Sequence, residues 1–119
     1  MVDGDGSQLY DYLYIDDVAR ANVISMKSDI TDEAFNIGYG EVFSVTRVVE
    51  QIMKTMQSEK VIDYRARGQS FDIPHIRVRT DKARSLLAFD PQVSFEEGFR
   101  RLIEWYLGKL GADKKSNRW

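Results

Sequence analysis

GDGSQLYDYLYIDDVARAN, Gly4–Asn22, changes character twice within one short run. A Gly/Asp turn leads into LYDYLYI, Leu9–Ile15, which has the composition of a strand. Leu9, Leu13 and Ile15 would share one face with Asp11, and Tyr10, Tyr12 and Tyr14 the other. Asp16 or Asp17 then caps a helix running to about Met26, with Val18, Ala21, Asn22 and Met26 near one stripe. A strand feeding a capped helix sets an alternation that the rest of the chain continues.

Downstream, AFNIGYG (Ala34–Gly40) reads as a short strand ended by a glycine-rich turn. Ser44 is placed to cap the next helix. There Val45, Val48, Val49, Ile52, Met53 and Met56 recur at i, i+3, i+4, i+7, i+8 and i+11, the cleanest amphipathic pattern in the chain. Lys60–Arg65 reads as a strand, and residues 66–79 as an arginine-rich loop or irregular edge. Thr80 or Asp81 starts a short helix through Leu87, which Phe89–Pro91 stops. Ser94 and Glu97 have capping-box spacing, and the helix after them carries Phe99, Leu102, Ile103 and Tyr106 on one face.

The order β-α-β-α-β-α-α predicts an α/β fold with a small, mostly parallel sheet and flanking helices. Residues 1–110 form one domain, and 111–119 a polar, frayed tail. Two helices are longer and more apolar than so small a sheet needs, so the chain is expected to pack against something else.

The 119 residues suit one domain, and 43% hydrophobic with 30% charged residues is ordinary for a folded protein. Absence of cysteine excludes disulfides, zinc–thiolate sites and cysteine nucleophiles, and fits a cytoplasmic location. A net charge of −2 supplies no basic field for nucleic acid. No apolar run has membrane-spanning length, and MVDGDGSQ lacks the basic and apolar regions of a signal peptide.

Chemistry is sparse. No GxGxxG follows a strand and no P-loop occurs, and GDG at Gly4–Gly6 is a turn before it is a phosphate cradle. His75 has no acid or ligand at useful spacing and reads as a loop histidine. Asp16–Asp17 reads as helix capping rather than a paired-carboxylate site. The tyrosines could stack on a ring, against a simpler reading as half-buried strand residues. Arg65, Arg67, Arg77 and Arg79 flank one irregular segment. Their planar forks suit phosphate oxygens, against a reading as a solvated, salt-bridged loop.

Together these pieces resemble one family. GDGSQ–YDYLYIDDVARAN resembles the segment that opens the C-terminal part of NAD-dependent nucleotide-sugar epimerases and dehydratases, the UDP-glucose 4-epimerase-like extended short-chain dehydrogenase/reductases. AFNIGYGEVFSV resembles the family's FNIG-x-G strand–turn–helix. DKARSLLAFDPQVSFEEGFRRLIEWY resembles its SKA-x-x-LLG…P…SLEEGL…WY ending. The three motifs stand in register and cover the chain nearly to Tyr106.

The resemblance implies the C-terminal third of such an enzyme, lacking the N-terminal Rossmann domain, the glycine-rich NAD loop and the Tyr-x-x-x-Lys pair. It implies a truncated, nucleotide-sugar-binding module, inactive alone, with no catalytic, cofactor or metal residue of its own. NAD would belong to the intact enzyme. The substrate-side positions carried over are Tyr10, where the family usually has arginine, Asn36 of NIG, and Arg65 or Arg67 for the diphosphate. Tyr10 can stack or donate one hydrogen bond but supplies no charge. Asp11 matches a structural aspartate. The alternatives are a stand-alone module that self-associates through faces the Rossmann domain would cover, or a fragment with no function of its own. Membrane and nucleic-acid partners are not expected.

Overall fold

The computed structural model describes residues 1–66 and 75–116, with side chains to residue 111. The elements are β1 (Val2–Asp3), β2 (Leu9–Tyr10), α1 (Ile15–Lys27), β3 (Phe43–Ser44), α2 (Val45–Thr55), β4 (Tyr64–Arg65), β5 (His75–Ile76), α3 (Asp81–Leu87) and α4 (Phe95–Ser116). The α/β class is as expected, but the sheet is divided and mixed. β1 pairs with β4 in parallel, while β2 lies between an antiparallel β3 and a parallel β5.

The expected strands shrink for local reasons. Leu9–Ile15 keeps ladder pairing only at Leu9–Tyr10, because the Tyr14 carbonyl accepts from Asp17 and Val18 N–H and opens α1. Residues 34–40 form no strand. The N–H groups of Tyr39 and Gly40 donate to the Asp11 carboxylate at 2.7 and 2.8 Å rather than to a ladder. Lys60–Arg65 narrows to β4.

α1 corrects the expected cap. Tyr14, not an aspartate, is the N-cap residue and makes no side-chain cap bond; Asp16 and Asp17 sit in the first turn. The inward stripe is Asp17, Ala21 and Ile24; of the expected residues Ala21 is buried and Val18 half-buried, while Asn22 and Met26 are exposed. The other helix boundaries follow the sequence signals. Ser44 Oγ accepts from Arg47 N–H at 3.1 Å. α3 ends at Leu87, where Ala88 is left-handed (φ 49°) and Phe89 N–H closes on the Ala83 carbonyl at 3.2 Å. Ser94 Oγ accepts from Glu97 N–H at 3.2 Å, one half of the capping box. The Glu97 carboxylate turns forward to Arg100 and Arg101 instead. α4 continues past residue 110 to Ser116, where a frayed tail was expected.

The core joins α1 to α3. Ala21, Ala83, Leu87 and Phe89 are buried, with Leu13, Ile24, Ile30, Phe35 and Ile37 around them. An aromatic cluster joins β2 and β3 to α4. Phe43 stacks on Phe95 at 4.0 Å between ring centroids, and Tyr12 meets Phe95 and Phe99 edge-on at 6.2 Å. Each such pair contributes about 0.5–1.5 kcal/mol beyond area burial. α2 carries the clearest amphipathic pattern yet has no fully buried residue. No described helix is long and apolar enough to cross a membrane.

Candidate functional site

Asp11 organises the region around Tyr10. It follows β2 directly, and its two carboxylate oxygens take the N–H groups of Tyr39 and Gly40. These charge-assisted bonds fix the turn of the NIGYG loop beside the sheet. Gly38 lies inside the clamp. A Cβ there would stand 2.6 Å from Val78 Cβ and 2.9 Å from Asp11 Oδ2, so only glycine lets the loop approach so closely. The segment from His75 to Arg79 therefore lies against both β2 and this loop. Asp11 is the structural aspartate that its motif implied.

Tyr10 is half-buried, opposite Phe43 on one side and Ile76 on the other. Its ring meets Tyr12 edge-on at 6.3 Å. Burial, and then the neighbouring Tyr10, push the Tyr12 hydroxyl above its ordinary pKa. Asn36 is exposed at the start of the clamped loop. Arg65 stands apart from both, in the β1–β4 sheet, with its guanidinium engaged by the Asp3 carboxylate. Arg67 lies outside the described residues. Arg77 and Arg79 are exposed just past β5, the strand that pairs with β2, and Arg79 pairs with Asp81 at 3.2 Å. Two of the four expected residues, Tyr10 and Asn36, thus belong to one sheet-and-loop assembly, and Arg65 does not.

Below Tyr10 an apolar cleft of about 400 Å³ opens between residues 11–15 and the first turns of α4. Tyr12, Tyr14, Ile15, Phe95, Phe99 and Leu102 line it. Gly98 lets Tyr14 pack close against α4, since a Cβ there would meet the Tyr14 ring at 3.2 Å.

Sequence reasoning missed the anchoring role of Asp17. Its side chain is 2% exposed and accepts from Gln92 N–H, from Val93 N–H and from Arg20. Burial pushes its carboxyl up, but the hydrogen bonds from Arg20, Val93 and Gln92 outweigh it and hold the pKa below the ordinary value. Arg20 also donates to the Asp90 carbonyl and lies over the Phe89 ring at 5.1 Å. The one available signal was an acid in a helix first turn, which capping explains equally well.

The described residues do not fit a dinucleotide. A pyrophosphate favours a glycine-lined helix N-terminus free of negative charge. Here α1 opens on Asp16 and Asp17, α3 on Asp81, and α4 on Glu96 and Glu97. α2 lacks an acid in its first turn, but the Ser44 hydroxyl already occupies its Arg47 N–H.

A profile of the NAD dependent epimerase/dehydratase family matches residues 1–38. The chain is 32% identical over 108 residues to UDP-glucuronate 4-epimerase of Thermodesulfobacterium geofontis, covering 86% of this chain and 31% of that protein. It is also 32% identical over 112 residues to an Escherichia coli dTDP-glucose 4,6-dehydratase, covering 87% and 31%. The fold superposes on the crystal structure of Thermotoga maritima UDP-glucose 4-epimerase with UDP-glucose. The TM-score is 0.85 at 31% identity, over 92% of this chain and 35% of that one. The chain is thus similar in sequence and fold to members of the NAD dependent epimerase/dehydratase family, and it spans about a third of the length of the relatives it matches.

Proposed function

We propose that this chain is the nucleotide-sugar-binding C-terminal part of an NAD-dependent sugar-nucleotide epimerase or dehydratase, and that it has no turnover alone. The observation that carries the reading is the Asp11 clamp, which holds the Asn36 loop beside Tyr10 and the arginine-bearing segment after β5. In this reading Tyr10 packs against the nucleotide, Asn36 offers an amide to it, and Arg65 or Arg67 contacts the diphosphate. In the intact enzyme NAD would supply the hydride chemistry, and the residues described here would hold the substrate's distal end. Contacts remote from the reacting sugar orient it and lower the barrier without touching the reacting atoms.

Titration with UDP, dTDP and GDP, followed by amide chemical shifts, tests the reading. Shifts clustered at Tyr10, Asn36 and Arg65 or Arg67 are expected; a spectrum unmoved by all three nucleotides overturns it. Incubation with UDP- or dTDP-sugars and NAD should give neither epimer nor keto product.

A second reading is self-association. The exposed apolar residues along the distal half of α4 favour it, since contiguous patches of this kind mark interaction surfaces. Both readings can hold for one chain.

A further inference from the structure

α4 is a 22-residue helix, about 33 Å long, and only its first turns enter the body of the protein. Phe95 and Ile103 are buried, and Phe99 is half-buried in the aromatic cluster. The Phe95–Phe99 face continues outward as Leu102, Tyr106 and Leu110, with Trp105 and Leu107 beside it. All five outer residues are exposed, from 42% for Leu110 to 57% for Trp105. A Cβ built at Gly108 or Gly111 meets nothing within 4 Å, so this side of the helix stands clear of the other described residues. At the base of the same face lies the apolar cleft, with Ile15 and Leu102 at its edge. The chain thus carries a cleft and an apolar helix end that one straight helix cannot fold back to fill.

Resting on the self-association reading, we propose that two copies of this chain pair antiparallel through α4, about a two-fold axis at Tyr106, each seating its Leu110 end against the other's cleft. A two-fold at Tyr106 sets Leu102 level with Leu110 of the second copy. An isologous pairing then fills both clefts at once and closes at the dimer. The antiparallel arrangement brings the acidic first turn, Glu96 and Glu97, toward the C-terminal end of the second copy's α4. It also opposes the two helix dipoles favourably.

The size is sufficient. Ile15, Leu102, Trp105, Tyr106, Leu107 and Leu110 are each 42–67% exposed. Together they offer roughly 500 Å² of apolar surface, taking the burial capacity of large side chains as a guide. A standard interface buries about 800 Å² per partner, roughly 60% of it apolar.

The cysteine-free chain makes the test direct. Sedimentation equilibrium over a concentration series should show a monomer–dimer equilibrium. Tyr106→Glu should raise its midpoint at least tenfold with unchanged circular dichroism. With a short bis-maleimide linker, Tyr106→Cys should cross-link with itself. Leu102→Cys mixed with Leu110→Cys should cross-link at least tenfold more than either variant alone. A dimer in which Leu102→Cys links to itself as readily, or which ignores Tyr106→Glu, overturns the pairing while leaving self-association standing. A chain monomeric at every concentration overturns both, and makes a different polypeptide the cover of this face.

Discussion

The Asp17 carboxylate receives the backbone N–H of Val93, 76 residues further along the chain, at 3.0 Å. One buried acid in α1 thereby fixes the turn that leads into α4, and so the angle at which the aromatic cluster meets β2. With Gln92 N–H and Arg20 it forms a satisfied network around a buried charge. Asp17→Asn keeps the shape, loses the charge and turns an amide donor toward backbone donors. The expected loss is about 2–4 kcal/mol in urea unfolding. Its pKa is lowered in the folded state, so its stabilisation is present above the unfolded value of about 3.9 and fades as pH falls through the folded pKa. Acid unfolding of the parent should therefore steepen below about pH 4, and Asp17→Asn should flatten that part of the profile. A variant with unchanged stability and an unchanged acid limb would remove Asp17 from this role.

Glu97 gives a more local readout. Hydrogen bonds from Arg100 and then Arg101 bring its carboxyl to about 2. A carboxyl-carbon NMR titration should place its midpoint far below the ordinary glutamate value of about 4.3. Arg100→Gln should move that midpoint back toward the ordinary value, because Arg100 is the larger cause. The pair is surface-exposed, so the same substitution should leave thermal stability nearly unchanged. A Glu97 midpoint near 4 in the parent would mean that the ion pairs do not persist in solution.

Gly38→Ala tests the clamp that positions the Asn36 loop. The added methyl would overlap Val78 Cβ at 2.6 Å and Asp11 Oδ2 at 2.9 Å, so backbone must shift. Overpacking of this kind costs about 1–3 kcal/mol. Adding Val78→Ala should recover only a small part of that loss, since it removes Cγ1 at 2.8 Å but keeps the nearer Cβ at 2.6 Å. Equal stabilities of parent and Gly38→Ala would show that the loop is held less closely.

The sequence was most readable where a local signal has one physical meaning. Ser44 and Ser94 cap the helices they precede, and α3 stops at Leu87 as the residues after it require. It was least readable where a polar side chain competes with the sheet for backbone groups. Asp11 draws Tyr39 and Gly40 away from any ladder, so a segment with strand composition became a clamped loop. Neither the Asp11–Gly40 nor the Asp17–Val93 bond has a local pattern, because each joins residues 29 or 76 positions apart. The same holds for the site. Tyr10 and Asn36 are joined by Asp11, while spacing alone gave no reason to place Arg65 in the other sheet.

Tyr10 itself carries the sharpest functional prediction. It is half-buried between Phe43 and Ile76, and it stands where the resembling motif usually has arginine. A tyrosine offers a ring face and one hydroxyl, whereas a guanidinium offers a charged fork to a diphosphate. If this face receives the nucleotide diphosphate, Tyr10→Arg adds a charge-assisted hydrogen bond of about 1.5–3 kcal/mol, equivalent to roughly 10–150-fold in affinity for UDP. Tyr10→Phe removes only the hydroxyl and should change affinity by less than about threefold if the ring is what packs against the nucleotide. Isothermal titration of the parent and both variants with UDP and with uridine separates these contributions. The arginine gain should appear with UDP and vanish with uridine, which has no phosphate. A gain of equal size with uridine, or no gain with UDP in a variant of unchanged circular dichroism, would place the diphosphate elsewhere than beside β2.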